Sequence, residues 1–204
     1  MDKPSSVALD ANVCIIHALD LGKIRNVKVH AYDCKFLRCF VDGCLKECIN
    51  IGTFQTAIDE SYHNLRKATN NLIEQNRVKI DGYNRLKWHQ ISKSNLDKLF
   101  NRIALFKETY TKQELQAAEQ FFKSIQKPIV VHAAPTKSAI PGTNDLILFI
   151  STHNLSGKTS HLLSNDSHFT EHELEIANSH YNTKIIPMIN VGPIVAAWGW
   201  PISG

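Results

Sequence analysis

The chain combines short apolar runs near its two ends with helically spaced apolar positions between them. The runs lie within 7–9, 161–164 and 185–189, and runs of this length are typical of buried strands. Apolar residues within 36–48 recur every three or four positions and predict an amphipathic helix. The pattern therefore predicts strands at both ends of the chain and helices connecting them.

Further elements follow from capping motifs and apolar spacing. Thr111 with Glu114 and Thr170 with Glu173 have the spacing of capping boxes, which begin helices. A short strand is predicted at 49–51. Another is predicted at 78–80, and a turn follows it. The other predicted helices cover 12–21, 53–75, 94–107, 111–126, 144–153 and 170–180.

The alternation of strands and helices at both ends predicts the fold class. We expect an α/β protein with three layers, in which helices flank a central parallel sheet and the middle of the chain forms an enlarged helical region. With 204 residues, the chain fits a single domain over 1–204. Within it we predict a helical insertion over about 76–142 and a C-terminal tail over about 190–204.

Charge is distributed unevenly along the chain. Residues 62–137 contain 14 Lys and Arg against 6 Asp and Glu, whereas both flanking parts contain more acidic than basic residues. A basic middle could attract an anionic polymer such as nucleic acid, or could simply be the solvated surface of helices. The sequence shows no signal peptide and no apolar run of about 20 residues, so we expect a cytoplasmic protein with no membrane contact.

Cysteine usage agrees with a reducing compartment. The chain has five cysteines, an odd number, and no pair with CxxC spacing. Cys34, Cys39, Cys44 and Cys48 could be proposed as zinc ligands, but Cys44 and Cys48 lie on the apolar side of a predicted helix. Buried free thiols are the favoured interpretation.

Four acidic residues follow or adjoin the apolar runs, and this is the most informative feature of the sequence. Asp10 and Asp166 follow predicted strands, while Glu60 and Asp145 lie early in predicted helices. The carboxyl ends of parallel strands meet at one edge of a sheet, where ligands bind. Carboxylates gathered there would repel one another unless a cation with a preference for oxygen, such as Mg²⁺ or Mn²⁺, bound between them.

Each acid also has an ordinary structural interpretation. Asp10 could cap the helix after it, Asp145 could interact with a helix dipole, and Asp166 could be a turn residue. Any one of these is plausible alone, but the four acids together favour a metal site. A shift of one residue would replace Glu60 by Asp59, so the sequence leaves the choice between those two open.

The segments around the four acids resemble the PIN domain family of metal-dependent ribonucleases. The segment 8–13 is similar to the family's first strand with its aspartate and a following Asn or Ser. The segment 58–60 resembles its glutamate position, and 142–148 resembles its third acid, early in a helix. The segment 163–169 resembles its last motif, and the order agrees across about 7–189, which predicts a PIN-like fold.

The resemblance implies a metal centre and a reaction. Asp10, Asp145 and Asp166 would be the principal ligands of Mg²⁺ or Mn²⁺, and Glu60 would lie beside them and bind directly or through water. The metal held by these four acids would promote hydrolysis of RNA phosphodiester bonds by water, so no protein nucleophile would be needed. The residues implied to orient ligands or waters are Asn12 and Ser164.

Partners are predicted on the same basis. The substrate would be RNA, family members are frequently homodimers, and a toxin neutralised by an antitoxin protein is one hypothesis. The basic residues that we expect near the mouth of the site are Lys35, Arg38, Arg66, Lys67 and Lys137. His168, near the last motif, could approach the substrate, although a surface or satisfied histidine is the favoured interpretation.

Three other function classes compete with the nuclease. A catalytically quiet RNA-binding or scaffold protein is the main alternative, and the presence of all four acids argues against it. A haloacid dehalogenase-type phosphatase would need a second aspartate where this chain has Asn12. A dinucleotide-binding protein is disfavoured because no GxGxxG motif follows the first strand.

Overall fold

A computed structural model describes residues 3–19, 28–75, 82–125, 140–155 and 160–201 of the chain. Within these ranges, helices and strands alternate along most of the sequence. The elements are β1 (Ser6–Leu9), α1 (Ala11–Ala18), α2 (Lys28–Lys46), β2 (Asn50–Phe54), α3 (Gln55–Gln75), α4 (Gly82–Phe100), β3 (Ala104–Phe106), α5 (Lys112–Ile125), α6 (Thr143–His153), β4 (Ser160–Ser164), α7 (Ser167–Thr170), α8 (Glu173–Ala177), β5 (Thr183–Pro187) and α9 (Val191–Ala197). A short 3₁₀ helix, Met188–Asn190, joins β5 to α9.

The described strands form one five-stranded sheet in the order β3-β2-β1-β4-β5. Every neighbouring pair is parallel, and Val7 in β1 aligns with Ile51 in β2 and with His161 in β4. The chain builds the sheet outwards from β1 to β3 and then returns to the other side of β1 with β4. The strand order therefore reverses between β1 and β4, and open parallel sheets bind ligands at such a reversal.

Side chains of the central strands alternate between two apolar clusters, one on each face of the sheet. Val7 and Leu9 belong to the cluster that includes residues of α1, α2, α4 and α9. Ala8, between them, belongs to the cluster that includes residues of α5, α6, α7 and α8. This alternation is the two-residue period of a strand that is buried on both faces. The predicted α/β class, with a parallel sheet between two helical layers, is confirmed.

The middle of the chain differs from the sequence-based prediction in one strand. Residues 104–106 form β3 and pair with β2, whereas the apolar spacing predicted that a helix would continue to about residue 107. Helix α4 ends at Phe100, and Ile103 and Phe106 are buried. The predicted insertion over 76–142 therefore contributes an edge strand to the main sheet as well as helices. The strand predicted at 78–80 lies outside the described residues.

The second predicted capping box is also wrong. Thr170 ends α7, and its hydroxyl donates to the carbonyl oxygen of Asp166 at 3.1 Å. Two short helices, α7 and α8, replace the single helix predicted over 170–180. The first capping box is present, since Thr111 and Glu114 each accept a hydrogen bond from the other's backbone N–H.

Two further predictions concern the end of the chain and the membrane. The predicted tail over 190–204 contains α9, which packs against α2, and Trp200 lies in the same apolar cluster. Within the described ranges, no helix has the length and apolar character needed to span a bilayer.

We expect Gly52→Ala to destabilise the protein by about 2 kcal/mol, because β2 and β3 approach too closely at this position for a larger residue. A Cβ atom at Gly52 would overlap the carbonyl oxygen of Ala104 and lie 2.8 Å from the Phe106 ring. The free energy of unfolding in urea measures the effect. Leu105→Ala is the control, because Leu105 is 62% exposed, and we expect a change within about 0.5 kcal/mol. Equal losses in both variants would contradict this account of Gly52.

Candidate functional site

The candidate site lies where the strand order reverses, at the carboxyl ends of β1 and β4. Asp10 follows β1 directly, and its backbone N–H extends the sheet by donating to the carbonyl oxygen of Leu163 at 3.1 Å. Asp166 follows β4 after one intervening residue, Asn165. The parallel pairing of β1 with β4 therefore brings together two acids that are 156 positions apart in the sequence.

The Asp10 side chain points away from the helix that it precedes. Asp10 occupies the N-cap position of α1, yet its side chain makes no capping hydrogen bond. Instead, Oδ2 of Asp10 accepts a hydrogen bond of 2.6 Å from the hydroxyl of Ser164, which is fully buried. The Ser164 hydroxyl in turn accepts from the backbone N–H of Asp166 at 3.0 Å. Ser164 thus connects the acids of β1 and β4.

Asp10 is an unusual carboxylate in its surroundings. Its residue surface is only 5% exposed, and this burial raises the pKa of Asp10 to about 7. The hydrogen bond from Ser164 opposes the rise, while the negative charges of Asp145, Glu60 and Asp166 add to it. A buried acid that no nearby cation neutralises is costly to ionise. The residue therefore fits a site that acquires positive charge from a ligand.

Glu60, rather than Asp59, faces the other acids. Burial raises the pKa of Glu60, and the charges of Asp145 and Asp166 raise it further. Asp59 is exposed, and its Oδ1 accepts a hydrogen bond of 2.7 Å from the Gln55 side chain one turn earlier in α3. Of these two acids, Glu60 is therefore the one whose charge acts together with those of Asp145 and Asp166.

Asp145 approaches from the opposite layer of the fold. It lies in the first turn of α6, and its Oδ2 accepts a hydrogen bond of 3.0 Å from the backbone N–H of Gly142. The bond satisfies a backbone donor before the helix, as a capping box does. The predicted interaction at a helix N-terminus is therefore real, and it orients the same carboxylate that influences Asp10 and Glu60.

Asp166 combines a structural contact with a histidine contact. Its Oδ1 accepts from the backbone N–H of His168 at 2.8 Å and so caps α7. The imidazole Nδ1 of His168 also lies 2.8 Å from this oxygen and 3.9 Å from Oδ2 of Asp145. The His168 side chain is only 12% exposed and stands between two of the four acids. The structure agrees with a satisfied histidine at this position, and an approach of His168 to a substrate stays a prediction.

An aromatic cluster holds the elements that carry Asp145 and Asp166 together. Phe169 in α7 stacks on Phe149 in α6, with ring centroids 5.9 Å apart and an interplanar angle of 15°. Phe122 of α5 contacts both rings edge-on. All three rings are buried, so their packing fixes the separation of α6 and α7 on this side of the sheet.

The donor chemistry of the site fits a cation that prefers oxygen. The described residues contain no group of three His, Cys, Asp or Glu side chains placed closely enough to enclose one metal ion. The four carboxylates nevertheless lie near enough to one another for their charges to interact. A cation bound between carboxylates offsets their repulsion and allows them to approach more closely. Their oxygen atoms are the ligands that Mg²⁺ and Mn²⁺ prefer.

The cysteines do not form an alternative metal site in the described part of the chain. Cys14, Cys34, Cys39 and Cys44 are buried as free thiols, and Cys48 is exposed. Cys39 and Cys44 pack in the apolar cluster formed with α1, α2 and α9.

The other predicted site residues that the structure describes are exposed on helices. Asn12 is exposed in the first turn of α1, close to Asp10 in sequence, and Lys35 is exposed on α2. Arg66 and Lys67 are exposed on α3, and Lys67 lies seven residues after Glu60 and therefore on the same side of that helix. Lys137 lies outside the described residues.

The structure places Arg38, one of the predicted substrate contacts, away from the four acids. Its guanidinium donates to the carbonyl oxygens of His17 and Leu19, at 3.3 and 2.9 Å. These carbonyls belong to the C-terminal end of α1, whereas Asp10 precedes the N-terminal end. The last carbonyls of a helix have no hydrogen-bond donors within the helix, and here the Arg38 guanidinium provides the donors. The expectation that Arg38 lies at the mouth of the acidic site is therefore wrong.

Comparisons of the chain with protein-family models, with curated proteins and with solved structures found no match. Within the described residues, the site is thus defined by its own geometry: four interacting carboxylates, a bridging serine and a histidine at the carboxyl edge of a parallel sheet.

Proposed function

We propose that the protein is a metal-dependent endoribonuclease that hydrolyses RNA phosphodiester bonds. The observation that carries the proposal is the buried carboxyl of Asp10, which lies at the reversal point of the sheet within the influence of three other acids. The four segments that resemble PIN domains contain these acids in the family's order, which supports the same reaction.

Each residue has a defined part in the proposal. Asp10, Asp145 and Asp166 would hold Mg²⁺ or Mn²⁺, with Glu60 beside them. Such an ion supplies charge neutralisation at the phosphate and an activated water. Ser164 holds the orientation of Asp10 through the 2.6 Å hydrogen bond, and Asn12 would orient a ligand or a water. The imidazole Nδ1 of His168 lies 2.8 Å from Oδ1 of Asp166 and would hold that carboxylate in position.

RNA is the proposed substrate because the family that the four segments resemble cleaves RNA, and the charge on α3 agrees with an anionic polymer. The helix that carries Glu60 also carries Arg66 and Lys67, and both are exposed. Cationic side chains near an acidic site that binds a metal attract the phosphate groups on either side of the bond that is cleaved. A homodimer, an antitoxin partner and a cytoplasmic location remain predictions from the sequence.

Glu60→Gln tests the assignment against its neighbour Asp59. We expect Glu60→Gln to lower the rate of Mn²⁺-dependent cleavage of single-stranded RNA about 30-fold, because it removes a negative charge that faces Asp145 and Asp166. The matched control is Asp59→Asn, which removes an exposed acid one position away, and we expect it to retain the wild-type rate. Initial rates with a labelled oligoribonucleotide measure both.

Two results would contradict the proposal. One is equal activity of wild type and Glu60→Gln, and the other is equal loss in both variants. Binding of RNA by the wild type without any cleavage in Mg²⁺ or Mn²⁺ would instead support the catalytically quiet RNA-binding protein.

A further inference from the structure

A polar cavity lies at the C-terminal end of α1, whereas the four acids lie near its N-terminal end. Its volume is about 360 Å³, which is near the lower end of the range for small-molecule sites. Helix α1 has eight residues, so its two ends lie about 12 Å apart. The residues that line the cavity are His17, Arg38, Asp42, Asn95, Lys98, Leu99 and Arg102.

The lining is predominantly cationic. Arg38, Lys98 and Arg102 contribute three positive charges and Asp42 contributes one negative charge. Asp42 is committed to Arg102 through a 2.6 Å ion pair, whereas Lys98 makes no ion pair with any other described residue. The lining therefore has a net charge of about +2 at neutral pH when His17 is neutral.

His17 is the buried polar group of the cavity. It is 8% exposed, and its Nδ1 has no hydrogen-bond partner among the described residues. Burial, together with the smaller effect of the Arg38 charge, lowers the pKa of His17 to about 4. A buried polar atom without a partner is uncommon and is often explained by a ligand or an ordered water.

Two of the remaining lining residues have their polar groups occupied by the end of α1. Arg38 donates to the carbonyls of His17 and Leu19, and the Asn95 side chain donates to the carbonyl of Ala18 at 3.1 Å. These bonds satisfy the carbonyls of the helix end, and the charge of Arg38 offsets their partial negative charge. Lys98 is thus the cation of the lining that no other described residue engages.

The charge of the lining indicates which anion fits. A phosphate monoester carries nearly two negative charges at pH 7, which balances a net charge of about +2. A phosphodiester within a nucleic-acid chain carries one. Arginine and lysine together are common ligands of phosphate oxygens, since they provide several N–H donors in different directions.

We propose that this cavity binds a phosphate monoester, either of a free nucleotide or at the 5′ end of an oligonucleotide, with Lys98 and Arg102 at the phosphate and His17 beneath it. The site is separate from the four acids, so the proposal does not depend on the nuclease assignment.

Titration calorimetry of the full chain in EDTA tests the site without catalysis. The probes are inorganic phosphate, adenosine 5′-monophosphate, a short oligodeoxyribonucleotide with a 5′ phosphate and the same oligonucleotide with a 5′ hydroxyl. We expect saturable binding of the monophosphate or of the 5′-phosphorylated oligonucleotide, and which of the two binds more tightly identifies the source of the ester. The 5′-hydroxyl oligonucleotide should bind at least about tenfold more weakly.

Lys98→Gln locates the binding in this cavity. Lys98 is exposed on α4 and unpaired among the described residues, so its replacement should leave the fold intact. We expect a loss of affinity of about tenfold or more, because one charge-assisted hydrogen bond is removed. The matched control is Lys112→Gln, an exposed lysine at the start of α5, which should bind as the wild type does.

His17 provides a second measurement that does not depend on a variant. Its imidazole signals in a two-dimensional NMR spectrum should shift when the monophosphate is added, because the ligand would contact this side chain. The proposal is overturned if no phosphate probe binds, if both oligonucleotides bind equally, if Lys98→Gln binds as the wild type does, or if Lys112→Gln loses as much affinity.

Discussion

We expect Asp10→Asn to lower the rate of Mn²⁺-dependent RNA cleavage by about 10³-fold or more. A metal ion in a hydrolytic site contributes several kcal/mol to the reaction, and each 1.4 kcal/mol corresponds to about a factor of ten in rate. Asp10 is the most buried of the four acids, and the charges of the other three act on it. Its replacement by a neutral amide removes the charge at the centre of the proposed site. Initial rates at saturating Mn²⁺ measure the effect.

Glu47→Gln is a suitable control for this variant. Glu47 precedes β2 and pairs with Lys3, which precedes β1, so it lies at the amino ends of the strands and away from the carboxyl edge of the sheet. The control also removes one carboxylate, and we expect it to cleave RNA at the wild-type rate, since surface ion pairs contribute little. Circular dichroism should show that both variants are folded. Cleavage by Asp10→Asn at the wild-type rate would remove the basis of the nuclease proposal.

The α/β class could be predicted from the sequence because it depends on short-range patterns. The run 7–9 is buried on both faces, which is typical of a strand in the centre of a parallel sheet. Once β1 and β4 are parallel neighbours, the acids that follow them lie at the same edge. That β1 and β4 are neighbours is itself a contact between distant parts of the chain, which the alternation of strands and helices does not determine.

Other features depend on contacts that no local pattern contains. Residues 104–106 have helix-compatible spacing, yet pairing with β2 makes them a strand. Arg38 has the appearance of a surface cation, and its role follows from the position of the helix end that it caps, more than 15 residues earlier. His168 is one of ten histidines, and only the approach of α6 to α7 places it between Asp145 and Asp166.

The same burial that suits Asp10 to a metal should make the metal-free protein lose stability as the pH rises. The pKa of Asp10 is raised from 3.8 to about 7 in the folded protein. The folded state then binds a proton more strongly than the unfolded state, and its stabilisation is complete below about pH 4. This stabilisation is lost as the pH rises through 7, which lowers the free energy of unfolding by up to about 4 kcal/mol.

His17 changes stability with pH in the opposite direction, so a single unfolding curve would not isolate Asp10. The pKa of His17 is lowered to about 4, which makes the folded state more stable as the pH rises from 4 to 6.5. His17 is present in both wild type and Asp10→Asn. Asp10 and His17 lie at opposite ends of α1, so the difference between the free energies of unfolding of the two proteins reports Asp10.

We expect Asp10→Asn to be close to the wild type in stability at pH 4 and more stable by about 3 kcal/mol at pH 8, when both are measured in urea with EDTA. Adding Mn²⁺ at pH 8 should reverse the order, because an ion that binds only the folded wild type stabilises it by mass action. A constant difference between pH 4 and 8 would show that the Asp10 carboxyl titrates normally. The buried acid would then have no need of a cation, and the physical argument for a metal at this edge of the sheet would fail with it.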